Sequence, residues 1–118
     1  MKKKKVIITV LGEENFEKEV LENPGPVLVE FRAGWSGPCD IMAPIIESLA
    51  ADYKGQVKFA SLDIENNEKT TKEYGISKLP TILFFDKGRV ANHIIGVVPR
   101  RLLESQINAL LENERTED

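Results

Sequence analysis

The sequence predicts an α/β domain: a mixed sheet of about five strands, flanked on both faces by about four helices. Three observations carry that prediction. Short β-branched runs alternate with stretches of helical periodicity along most of the chain, the pattern of strand–helix–strand units. Asp86-Lys87-Gly88-Arg89 joins the last two strand-like runs, so those strands form a hairpin and run antiparallel. The most apolar run, Val27 to Ala33, reads as a central strand buried on both faces.

The chain has 118 residues, enough for one domain spanning 1–118 with a single core. Its 42% hydrophobic and 30% charged content is that of a soluble globular protein. A net charge of -3 argues against nucleic-acid binding. One cysteine excludes an internal disulfide, so the fold must hold by packing. Met1-Lys2-Lys3-Lys4-Lys5 reads as a basic arm (1–5) before a strand. The apolar run after it is too short for a signal peptide or a membrane helix. The expectation is a cytoplasmic protein that does not engage membranes.

Val6 to Leu11 is β-branched and reads as the first strand. Glu13 to Glu22 reads as a helix with Phe16, Val20 and Leu21 on one face and acidic residues in its first turn. Asn23-Pro24-Gly25 stops it. In the central strand, Val27, Val29 and Phe31 share one face, and Leu28, Glu30 and Arg32 the other, which buries a carboxylate. Asp40 to Tyr53 is helical, with Ile41, Met42, Ile45, Ile46, Leu49 and Ala50 recurring at helical spacing and Pro44 expected to kink it. Val57 to Ile64 is the next strand, reached by a right-handed parallel crossover. Glu68 to Tyr74 is a short helix closed by Gly75. Thr81 to Phe85 and Val90 to Ile95 are the hairpin strands. Pro99 to Glu112 is the last helix, with Leu102, Leu103, Ile107, Leu110 and Leu111 toward the core. Arg100 and Arg101 stand in its first turn, against the dipole preference. Residues 113–118 read as a polar tail.

Between the central strand and the long helix lies Trp35-Ser36-Gly37-Pro38-Cys39. A helix that starts at the end of a strand presents free N–H groups and a partial positive charge there. Ser36 is a natural N-cap, its oxygen placed to accept the N–H of Cys39. Gly37 and Pro38 then take the first two helical positions and Cys39 the third. A cysteine in that turn is expected to have a lowered thiol pKa.

Strand, Trp-x-Gly-Pro-Cys, then an amphipathic helix containing Pro44 resembles the active-site region of thioredoxins, whose pattern is Trp-Cys-Gly-Pro-Cys. The resemblance covers nearly the whole chain, and it implies the thioredoxin fold. Ser36 stands where the family has its first, attacking cysteine. Cys39 stands at the second, resolving position. The resemblance implies that Glu30 matches a buried aspartate that moves protons beneath the site. Ser61 replaces the lysine that accompanies it. Arg32 stands where thioredoxins usually carry tryptophan and is placed to pair with Glu30. Leu79-Pro80-Thr81 resembles the loop whose proline is cis and whose backbone pairs with an extended substrate peptide. Gly96 matches a glycine at the same groove, and Trp35 an exposed platform beside it. His93 reads as a surface residue. One cysteine and one histidine give no metal-ligand spacing, and no cofactor is expected.

Three readings follow. The chain is a dithiol reductase whose attacking cysteine has been exchanged for serine; or Cys39 works alone, in single-thiol exchange with protein thiols or disulfides, a thiol reductase or glutathione; or the domain is a non-catalytic peptide-binding module using the groove around Trp35, Gly37, Pro38, Leu79, Pro80 and Gly96. Thiol–disulfide chemistry of the family type is expected, without full dithiol turnover, because a serine hydroxyl cannot replace a thiolate at neutral pH.

Overall fold

The computed structural model describes residues 7–116, the side chain of Thr116 excepted. The basic arm 1–5, Val6 and the last two residues lie outside that range. The strands are β1 (Thr9–Leu11), β2 (Pro26–Arg32), β3 (Lys58–Asp63), β4 (Thr81–Asp86) and β5 (Arg89–Ile95). The helices are α1 (Gly37–Asp52), α2 (Glu68–Glu73) and α3 (Arg100–Thr116), with a π-helical turn at Glu17–Leu21 and a 3-10 turn at Ile64–Asn66. The five strands lie in the order β1-β3-β2-β4-β5. β2 runs parallel to β3 and antiparallel to β4, and β4 pairs antiparallel with β5. This mixed sheet with helices on both faces is the expected thioredoxin fold.

β2 is buried from Pro26 to Phe31 because it has a strand on each side and a packed layer on each face. One layer holds Leu28, Met42, Ile46, Leu49, Phe84, Leu103 and Ile107 under α1 and α3. The other holds Phe16, Val20, Val29, Phe31, Leu62 and Phe85 beneath the π-helical turn and the segment after α2. The alternation of β2 side chains between these layers is the one read from the sequence.

Several boundaries and faces differ from expectation. Among the described residues the first strand pairs over Thr9–Leu11 only, and Val6, where it was expected to begin, lies outside them. The helix expected over 13–22 is a turn followed by one wide helical turn. Asn15 ties that turn down, its Oδ1 accepting the Gly12 N–H at 2.7 Å. Glu22 N–H then reaches back five residues to the Glu17 carbonyl. The wide turn buries Phe16 and Val20 but leaves Leu21 exposed. Ile41, expected within the apolar repeat of α1, and Leu102, expected toward the core, are 58% and 43% exposed. The true stripe of α1 is Cys39, Met42, Ile46, Leu49 and Ala50, which meets the sheet without Ile41. The last helix continues to Thr116, so most of the expected tail is helical.

Gly75 closes α2 at φ +64°, with its N–H on the Lys72 carbonyl. Lys87 and Gly88 turn the hairpin with φ of 54° and 81°, the pair of positive values a two-residue turn requires. A side chain at Gly88 would also meet the Leu21 carbonyl oxygen at 2.5 Å. Arg100 owes its place in the first turn of α3 to tertiary partners. Its guanidinium donates to Ser48 Oγ at 2.6 Å, pairs with Asp52 and reaches Glu104 Oε2 at 3.3 Å. It therefore ties α3 to α1, and these contacts account for a cation where the dipole disfavours one by about 0.3–1 kcal/mol.

Candidate functional site

β2 ends at Arg32 and α1 begins at Gly37, so the turn between them sits at one end of the sheet. Ser36 adopts extended backbone (φ -90°, ψ 116°) and caps the helix, its Oγ accepting the Cys39 N–H at 3.3 Å. This is the cap expected from the sequence. Pro38 is harmless in the first turn, where its missing N–H has no intrahelical partner.

The two sides of this turn have opposite accessibility. Trp35 is 67% exposed, and Gly37 and Pro38 are also exposed. Ser36 is buried at 5% and Cys39 at 0%. Cys39 is a free thiol on the inner side of α1. A cavity of about 410 Å³ opens in front of the turn. Trp35, Ser36, Gly37 and Pro38 line it from the turn before α1, and Ile64, Ile76, Ser77 and Leu79 from the loops after β3 and before β4. Cys39 does not line it.

Leu79-Pro80 is a cis peptide. Leu79 reaches the cavity, whereas Pro80 is buried and Gly96 stands behind it. Gly96, at φ +89°, donates its N–H to the Pro80 carbonyl at 2.8 Å. Both therefore brace the loop that carries Leu79 and do not form the cavity wall, which differs from their expected place in the groove. Thr81 Oγ1 donates to the Lys78 carbonyl at 2.6 Å and holds the same loop. Ile64, Ile76 and Ser77 were not anticipated. The available signal was that an isoleucine follows the end of β3 directly and another follows the glycine that closes α2; nothing local marks Ser77.

Glu30 lies on β2 opposite Ser61 of β3 and Ile82 of β4, on the face that carries Leu28. It is 5% exposed, and its Oε2 has no hydrogen-bond partner. Burial pushes its pKa up from 4.5 to about 7, and the positive charge of Arg32 opposes that only in part. The expected pairing of Arg32 with Glu30 does not form a hydrogen bond; Arg32 acts through its charge alone. His93 is exposed on β5. Among the described residues no cluster of three or more His, Cys, Asp or Glu could hold a metal ion, and no helix is long and apolar enough to cross a membrane.

Chemically, the site offers a mostly apolar groove with an indole platform, and the helix turn that borders it carries a buried sulfur. A buried acid near neutrality lies in the layer under α1. Residues 7–109 match the family model for thioredoxin. A thioredoxin from Porphyra purpurea is 35% identical over 101 residues, covering 86% of this chain and 94% of the relative. A Synechocystis thioredoxin is likewise 35% identical over 101 residues, with 94% of its length covered. Thioredoxin M4, chloroplastic, from Arabidopsis thaliana is 41% identical over 101 residues, which is 86% of this chain and 52% of that relative. Motif, sheet order, cis-proline loop and these similarities agree: the chain belongs to the thioredoxin family.

Proposed function

We propose that this chain binds extended segments of partner proteins in the groove beside Trp35 and does not turn over disulfides. One observation carries the reading: the groove is open while Cys39 is 0% exposed behind Ser36. Leu79, Gly37 and Pro38 supply contacts to a partner's backbone and side chains, and Pro80 and Gly96 hold the loop in place. The apolar share of the lining favours binding with little sequence preference. Ser36 spends its hydroxyl as a helix cap and takes no part in chemistry. A cytoplasmic location belongs to this proposal, although the names of some relatives include the word chloroplastic.

A second reading is single-thiol exchange at Cys39, supported by the place of its N–H in the first turn of α1. There the Cys39 thiolate attacks a partner disulfide, one S–S bond forms to Cys39, and the other partner sulfur leaves as a thiolate and takes a proton. With no second cysteine, the mixed disulfide persists until an external thiol such as glutathione attacks it. In this reading Glu30 is the proton acceptor for the thiol.

Trp35 is the chain's one tryptophan, so its fluorescence reports the groove. Titration with a thiol-free extended peptide should give a saturable change that survives Cys39→Ser. Absence of any change would remove the binding reading. In a disulfide-reduction assay with dithiothreitol, the chain should stay at background, and turnover should appear with Ser36→Cys. Turnover by the unsubstituted chain would establish exchange at Cys39 instead.

A further inference from the structure

A second trough adjoins the groove. Its volume is about 340 Å³, and it shares Ile76 and Ser77 with the first cavity. Its floor is the outer part of the sheet: Leu83 pairs with His93, Thr81 with Ile95 and Phe85 with Val90. Tyr74 and the residues up to Lys78 form the opposite side.

The trough exists because the two faces of β5 are covered unequally. On one face α3 covers the strand: Ile94 is buried, and Asn92 donates to Gln106. On the other face α2 ends at Glu73, and the chain after Gly75 turns directly toward β4. Nothing among the described residues reaches over β5 there, so Val90 and Ile95 remain 45% and 48% exposed. The lining also carries Lys78 and His93 and no acidic residue among those described. An apolar floor edged by the Lys78 ammonium and the hydrogen-bonding His93 ring suits an apolar side chain next to a carboxylate.

The alternation along the connecting loop is informative. Ile76 and Ser77 face both cavities, Lys78 only the trough and Leu79 only the groove. The loop is a saddle that an extended chain crosses without leaving the surface. The Thr81 hydroxyl on the Lys78 carbonyl and the Gly96 N–H on the Pro80 carbonyl fix its backbone, so the saddle is preformed.

We propose that the trough is a specificity subsite of the partner-binding surface. A partner segment seated beside Trp35 crosses Ile76–Ser77 and places an apolar residue against Val90 and Ile95. An acidic residue next to it meets Lys78 and His93. This inference rests on the groove reading of the preceding section.

The test uses the full chain and two thiol-free synthetic peptides, both followed by Trp35 fluorescence. One peptide is long enough for the groove alone; the other is the same peptide lengthened across the saddle and ending in Leu-Asp. The longer peptide should bind about tenfold more tightly, the gain from burying one aliphatic side chain with a paired charge. Ending it in Leu-Lys, or testing it on Val90→Ser, should remove most of that gain while the short peptide binds as before. Equal affinity for both lengths would overturn the subsite and leave the groove reading standing. No binding by either peptide would overturn both.

Discussion

The two layers on either side of the sheet are built differently. Under α1 and α3 the core is largely aliphatic, covered by helices of 16 and 17 residues, and the same face of β2 carries Glu30. On the other face the cover is a five-residue turn and the segment that follows a six-residue helix, and the core includes a cluster of four rings. There Phe16, Phe31, Tyr74 and Phe85 meet with ring centroids 5.6–6.2 Å apart. Two long helices make a continuous roof that can keep a carboxylate and a thiol dry. Short elements need large rings to fill the space beneath them, and they leave the outer strand partly uncovered. The reactive groups and the open surface therefore fall on different layers of one sheet.

The largest expected effect tests the aromatic layer. Phe85→Ala removes a fully buried ring that touches both Phe16 and Tyr74. It should cost about 3–5 kcal/mol in denaturant unfolding, and it should loosen the loop after Tyr74. A loss below about 1 kcal/mol would mean that the rings do not hold that layer.

The next effect tests the dry layer through Glu30. Its folded pKa is raised to about 7 from 4.5, so the folded state keeps a proton that the unfolded chain has lost. Stability should therefore fall as pH rises from 4.5 to about 7, and the penalty is complete above that. The full swing is about 3 kcal/mol by linkage. Glu30→Gln should flatten the profile, matching the parent at low pH and exceeding it at high pH. A Glu30→Gln profile identical to the parent's would show that the acid is not held neutral by burial.

The smallest effect concerns the junction where the dry layer meets the groove. Ser36→Ala removes the cap on Cys39 N–H and should cost about 1 kcal/mol. It should also raise the rate at which a thiol reagent labels Cys39, because the first turn of α1 then frays more readily. An unchanged labelling rate would mean that packing alone seals the sulfur.

Much of this was legible in the sequence because its causes are local. Ser36, Pro38 and Gly75 act within one turn of themselves, and the hairpin turn needs only Lys87-Gly88. Alternation along β2 announced both layers before any partner was known. Ile41, Leu21 and Leu102 fall outside the buried stripes because periodicity allows a stripe wider than the surface available to cover it. Only the roof and the sheet decide where that stripe ends.

The sequence by itself determined the order of elements, the capped turn at Trp35–Cys39 and the isolation of a single sulfur. The tertiary structure alone decided that this sulfur is sealed and that the Glu30 carboxylate has an oxygen without a partner. It also decided that Ile64, Ile76 and Ser77 complete a groove and that Arg100 clamps two helices. The division has one physical reason: turns, caps and periodicity arise between residues a few positions apart, whereas burial and pairing depend on which distant segments the sheet brings together.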